Sequence, residues 1–226
     1  MNFFKNSLSA KNYLKILNEY NKNFDNKFVI QNSGSFIGDK SFYKLLTCYE
    51  ILKKIKNVKG DVIEFGVWNG NNLISMKKII DLLNMNKKIY GYDHFDGMPS
   101  NQKDYKRNNF KGEINLVKYF IKFFKLRNII LIKDDIDNLK NHKKKFKKIS
   151  LIYIDCDLYK TTKNILNTLA PKVSKGGLIV FDEGNQGKFS GESKALNEFY
   201  QENKKKYKKF LLKKNHQPDV FLEKIK

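Results

Sequence analysis

Apolar residues in this chain fall into two patterns. In the first they form short unbroken runs at 61–65, 88–92, 128–133, 150–154 and 177–181, rich in Val, Ile and aromatics. Such runs predict strands covered on both faces, as in a parallel sheet. In the second they recur every three or four positions, at 42–56 (Leu45, Leu46, Tyr49, Leu52, Ile55), 71–83, 114–124 and 158–172. That period predicts helices between the strands. About five alternations of strand and helix predict an α/β fold of three layers around a mostly parallel sheet. The tail predicts a helix over 191–204 and two short strands, 209–213 and 219–223. Residues 1–40 are polar and Asn-rich, with one amphipathic patch around Tyr13 to Tyr20. They read as a helical arm ahead of a single domain over 41–226.

Two of the runs end in acids. Ile152-Tyr153-Ile154 leads into Asp155-Cys156-Asp157, and Ile179-Val180-Phe181 leads into Asp182-Glu183. One helix-length segment separates them, so the two strands form a βαβ unit and run parallel. Both acidic clusters then emerge at the same carboxyl edge, where open α/β sheets bind ligands. Four carboxylates at one edge repel unless a proton or a cation sits among them. Their oxygens are hard ligands, suited to Mg²⁺, Ca²⁺ or Mn²⁺ and not to a closed zinc site. A blander reading has Asp157 and Asp182 as caps, but capping needs one carboxylate per end and each end here carries two. Cys156 has no identifiable partner for nucleophilic chemistry and reads as a small buried filler.

The first strand ends in Glu64-Phe65-Gly66-Val67-Trp68-Asn69-Gly70. Glycines in a strand-to-helix turn let a ligand approach the backbone closely. The spacing is neither the dinucleotide fingerprint nor a P-loop. Asp93, at the end of the second strand, is placed to accept from ribose hydroxyls. With Asp135 at the end of the third strand, an adenosyl ligand is the expectation.

Charge changes this picture little. The chain has 226 residues and a formal charge of +22, which invites a nucleic-acid reading. Only Arg107 and Arg127 among its 45 basic residues are Arg, whereas base and phosphate readers favour the guanidinium fork. The Lys excess, alongside many Asn and Ile, looks like the imprint of an AT-rich genome. It would also steer anionic acceptors such as nucleotide sugars or phosphorylated glycans. Two cysteines without framework spacing, no signal-peptide pattern and no run of about 20 apolar residues predict a cytosolic protein with no membrane partner.

Asp61 to Gly70, Tyr92-Asp93-His94-Phe95-Asp96-Gly97-Met98-Pro99, Ile154 to Tyr159, Pro171 to Glu183 and the Gly-Glu-x-x-Ala-x-x-Glu-Phe stretch from Gly191 to Phe199 carry a resemblance. Together they resemble the macrocin O-methyltransferase family of small sugar and antibiotic O-methyltransferases, over roughly residues 30 to 224. The resemblance implies a Rossmann-like methyltransferase fold with a seven-stranded sheet and a C-terminal antiparallel strand. It implies S-adenosylmethionine bound by Glu64, Gly66, Gly70 and Asp93, with Ser35 and Phe36 reaching in from the arm. It implies Mg²⁺ or another divalent ion on Asp155, Asp182 and Glu183, and Asp157 as general base. The family usually has Asp-Asp where this chain has Asp182-Glu183. The acceptor implied is a hydroxyl of a sugar or glycosylated small molecule, and relatives are often homo-oligomers. Two rivals remain: an RNA methyltransferase, which would bind RNA with steep salt dependence, and a non-catalytic protein that binds the cofactor or metal without turnover.

Overall fold

The structure is a computed structural model and describes residues 25–98, 107–185, 190–212 and 216–226. The patch at Tyr13 to Tyr20 lies outside them. The chain divides into two compact units, 1–46 and 47–226. In the first, α1 (Asn26–Gln31) and α2 (Ser33–Phe36) lead into α3 (Asp39–Lys54), whose second half belongs to the other unit. Asp25 caps α1 by accepting from the Phe28 amide at 2.7 Å.

The second unit is built on β1 (Asp61–Phe65), β2 (Ile89–Asp93), β3 (Ile129–Lys133), β4 (Ile149–Ile154), β5 (Val173–Phe181), β6 (Tyr207–Leu211) and β7 (Val220–Lys224). They form one seven-stranded sheet in the order β3-β2-β1-β4-β5-β7-β6. Every neighbouring pair is parallel except those made by β7, which runs antiparallel to β5 and β6. The intervening helices are α4 (Asn71–Leu82), α5 (Ile114–Phe123), α6 (Leu139–His142), α7 (Tyr159–Leu169) and α8 (Ser190–Asn203). Side chains alternate across the sheet, as the pleat requires. Val62, Leu151, Tyr153, Leu178 and Val180 face the apolar stripes of α3, α4 and α5 through Ile51, Leu52, Leu73, Met76, Ile80 and Val117. Ile63, Phe65, Ile152, Ile154, Ile179 and Phe181 face Leu139, Ile165, Leu166, Leu169 and Leu196 of α6, α7 and α8. These are the three layers expected, each fully buried side chain contributing roughly 1.5–3 kcal/mol.

The structure shifts some boundaries. β5 starts at Val173, four residues before the expected 177, because Gly176 and Gly177 form an irregularity inside the strand and not a turn before it. Pairing passes from Ile149↔Val173 to Leu151↔Leu178 around them, with Gly176 at φ 77°. β6 starts two residues earlier than expected: Tyr207 turns inward, and its hydroxyl donates to Ala170 O at 2.9 Å. Among the described residues no helix is long and apolar enough to cross a membrane.

Strand order reverses between β1 and β4, and the ladder there runs one residue past the strands. The Asp155 amide donates to Phe65 O at 2.9 Å, and the Asp182 amide donates to Ile154 O at 2.9 Å. Gly66 is pressed against this extension with φ 87°, and a Cβ on it would lie 1.9 Å from Asp155 O. Gly66→Ala should therefore destabilise the protein by roughly 3 kcal/mol or more, combining left-handed strain with a backbone clash. Gly34→Ala, with nothing within 4 Å of its Cβ, should stay within about 0.5 kcal/mol of wild type. Urea unfolding of the two variants checks both, and equal effects would refute this account of Gly66.

Candidate functional site

The carboxyl edge of the sheet is ordered by the ladder itself. Because Phe65 pairs with Ile154 and Ile154 with Phe181, the residues that follow each strand stand one strand spacing apart, about 5 Å. Gly66, Asp155 and Asp182 are thereby brought side by side. Asp93 closes the row through β2, whose Tyr92 carbonyl accepts from the Gly66 amide at 3.1 Å.

Around Gly66 the turn is shaped for close backbone approach. Gly70 sits at φ 83° as the cap of α4, and Trp68 at φ 49° is 45% exposed. Glu64 is buried and accepts from Asn72 Nδ2 at 2.8 Å, which ties the strand to the first turn of α4. Asp93 holds this turn in place. Its Oδ2 accepts from the Val67 and Trp68 amides at 2.8 and 2.9 Å, and Oδ1 accepts from the Phe95 amide at 2.7 Å. A carboxylate has about four acceptor positions, so three are spent holding the turn and one is left. Asp135 lies exposed at the next strand end and caps a short 3₁₀ turn through the Asp137 amide at 2.8 Å. Ser35 and Phe36 form α2 in the first unit.

The acidic side of the row is mostly buried. Asp182 and Glu183 are only 2% and 4% exposed. Asp182 Oδ1 accepts from the buried Tyr153 hydroxyl, whose proton is held firmly because burial, and then the Asp182 charge, push the phenol up. Glu183 Oε1 accepts from Gln217 Nε2, while its Oε2 is buried without a hydrogen-bond donor among the described residues. Burial, followed by the charges of Asp157, Asp155, Asp182 and Glu192, pushes the Glu183 carboxyl up to about 11.

Asp157 stands in a strained place. Its φ is 60°, and the Leu158 amide donates to Cys156 O at 2.6 Å, closing a three-residue turn around it. A non-glycine residue in that conformation costs of order 1–3 kcal/mol, and such strain gathers at working sites. Cys156 is a free thiol packed against the core; burial, and then Glu192, push it up, so it stays protonated filler as expected.

Glu192 escaped the sequence reading. It lies in the first turn of α8, fully buried, and Oε1 accepts from the Glu183 amide at 3.0 Å while Oε2 is 3.5 Å from the Cys156 amide. It thus bridges the two acidic loops. Burial pushes its carboxyl well up. The neighbouring Gly191 has no room for a Cβ, which would lie 2.6 Å from Asp157 O. The acid at the start of the Gly191 to Phe199 stretch was the available signal. Asp219 and Gln217, from the loop before β7, also reach the site: Asp219 accepts from the Asn185 amide at 3.1 Å.

A hard cation suits this donor set chemically. Five carboxylates act on one another, and a buried Glu183 oxygen lacks a donor among the described residues. The coordination shell itself is not preformed. Among the described residues, no three acid, His or Cys side chains stand in a metal-holding arrangement.

Comparison with known proteins agrees with this geometry. The chain is 27% identical over 171 residues to a demethyldecarbamoylnovobiocin O-methyltransferase of Streptomyces niveus, covering 67% of this chain and 63% of that protein. It is 23% identical over 167 residues to an 8-demethyl-8-(2,3-dimethoxy-alpha-L-rhamnosyl)-tetracenomycin-C 4'-O-methyltransferase of Streptomyces olivaceus, covering 66% and 62%. The matches thus span less than two thirds of either relative's length. The calicheamicin methyltransferase CalS11 has the same fold, with a TM-score of 0.79 over 97% of this chain and 93% of its own, at 20% identity. The family model described as macrocin-O-methyltransferase (TylF) matches residues 22–210, and the chain belongs to that family, with its class I methyltransferase fold.

Proposed function

We propose that this protein is an S-adenosylmethionine-dependent O-methyltransferase that uses a divalent ion and acts on a hydroxyl of a sugar or glycosylated small molecule. The observation that carries the reading is the adjacency of the glycine turn at Gly66 to the acid loops at Asp155 and Asp182, fixed by the sheet ladder. Methyl transfer to oxygen needs the sulfonium methyl and an activated hydroxyl in line, and two neighbouring sites on one rigid edge supply that positioning. The antibiotic and sugar acceptors in the relatives' names support the acceptor class.

In this reading the turn from Gly66 to Gly70, held by Asp93, seats the cofactor. Glu64 orders α4, and Asp135 is a further cofactor contact. Asp155, Asp182 and Glu183 would hold Mg²⁺ or a similar ion. When bound, such an ion lowers the pKa of an acceptor hydroxyl. Asp157 takes the hydroxyl proton as general base, and its strained turn keeps the carboxylate at the edge. Glu192 keeps the loops bearing Glu183 and Asp157 in register.

Calorimetric titration tests the proposal. S-adenosylhomocysteine and Mg²⁺ should each bind the wild-type protein, and Asp155→Ala should lose the metal alone. Failure of S-adenosylhomocysteine to bind wild type would sink the cofactor reading. Asp157→Asn keeps the side-chain shape and tolerates the left-handed turn. It should retain both ligands while kcat falls roughly 10²- to 10⁴-fold; undiminished turnover would remove Asp157 from the mechanism.

The acid cluster also sets a pH dependence. With its carboxyl held up to about 11 against an ordinary 4.5, folded Glu183 keeps a proton that the unfolded chain releases. Its contribution to stability is complete below about pH 4.5 and is lost as the pH rises toward the folded value. The metal-free protein should lose stability between about pH 5 and 9, by at most about 1.4 kcal/mol per pH unit, with Tm falling accordingly. Glu183→Gln should flatten that slope in a thermal melt series; an unchanged slope contradicts the assignment.

A further inference from the structure

The lysines are not spread evenly. At the amino edge of the sheet, opposite the acid loops, residues that precede β1, β4 and β5 line a cavity of about 680 Å³ with Lys59, Lys147, Lys148, Lys172 and Lys175. None of the five forms an ion pair among the described residues; Lys172 instead donates to the carbonyls of Lys143 and Phe146. Exposed Lys143, Lys144 and Lys145 continue the patch. Toward β3 a second cavity of about 650 Å³ carries Lys118, Lys122, Lys125 and Arg127.

Apolar side chains project at the same edge. α4 and α5 run back from the carboxyl edge, so their C-terminal ends lie here, and Leu82, Phe123 and Phe124 are 71%, 63% and 43% exposed. Among the described residues, four carboxylates lie toward this edge. Asp61 accepts from the Lys88 amide at 3.0 Å, Asp81 is paired with Lys77, Glu223 is paired with Lys54 at 3.1 Å, and exposed Glu202 is followed by Lys204, Lys205 and Lys206. The opposite edge carries Asp93, Asp134, Asp135, Asp155, Asp182 and Glu183. The described fold is electrically polar along its strands.

We propose that the amino edge is a docking face for an anionic phospholipid bilayer, on which the protein sits with its acidic edge turned to the water. Lysine point charges meet lipid phosphates without needing the bidentate geometry that Arg supplies, and each adds roughly fivefold to partition. Protruding Phe and Leu among lysines add apolar insertion at the headgroup boundary, as in interfacial helices. Nucleic acid is the less suitable polyanion: among the described residues, Arg127 is the only guanidinium on this face. The earlier expectation of no membrane partner rested on the lack of a spanning segment, which surface docking does not require.

The test is flotation with vesicles of phosphatidylcholine alone or with about 30% phosphatidylglycerol, the anionic fraction that supplies the surface charge. Wild type should float only with the anionic vesicles, and less as salt rises. Neutralising Lys59, Lys147, Lys148 and Lys175 to Gln should cut partition by about two to three orders of magnitude. Neutralising Lys111, Lys133, Lys160 and Lys194, which lie toward the other edge, gives the same net charge and should leave binding close to wild type. Circular dichroism confirms that both sets fold. For orientation, brominated lipid should quench a Phe123→Trp probe in a Trp68→Phe background and leave wild-type Trp68 unquenched. Equal loss from both lysine sets would reduce the effect to net charge and overturn the proposal. So would retention of single-stranded RNA by a protein that ignores the vesicles.

Discussion

The pairing of β1 with β4 is the constraint on which the rest of the structure depends. It is the one place where consecutive elements leave one half of the sheet and begin the other, and so the place where a crevice opens at the carboxyl edge. Its register, Phe65 with Ile154, is prolonged by the Asp155 amide on Phe65 O. That prolongation decides which residues stand next to which. Slipping one residue would turn every side chain of β4 to the other face. It would bury Cys156 where Asp155 now stands and separate the acids from the glycine turn.

Most of this was legible in the sequence because both signals are local. Five apolar runs located the five parallel strands, and the acids at their ends fell on the same edge once the crossover rule was applied. What was not legible depends on contacts between distant segments. Glu192 looks like an ordinary acid in a helix's first turn until α8 folds onto the loops after β4 and β5 and closes over it. Asp93 was placed at the strand end, and only the fold shows that it also holds the turn, with the Val67 and Trp68 amides directed at it. Gly176 and Gly177 were read as punctuation, whereas the sheet absorbs them as an irregularity within β5. The first tail strand was placed two residues late because Tyr207, among lysines, looks like surface until its hydroxyl meets Ala170.

The net +22 is unevenly spread. Five lysines line the cavity at the amino edge, while the acids that follow the strands gather at the carboxyl edge. Burial and mutual repulsion act in the same sense on Glu183, which accepts a proton when nothing else offsets its neighbours. Without a cation beside them, Glu183 and Glu192 resemble neutral acids.

The contact of Gly66 with Asp155 O bears on how such a fold diverges. The absent Cβ leaves no slack between the glycine turn after β1 and the acid loop after β4. A lineage that acquires a new acceptor cannot do so by drifting at this junction, because each first step there is blocked by its neighbour. Novelty must enter through segments that do not bear on the β1–β4 ladder. An engineer wishing to change specificity meets the same barrier, and should leave the junction fixed and vary the loops around it.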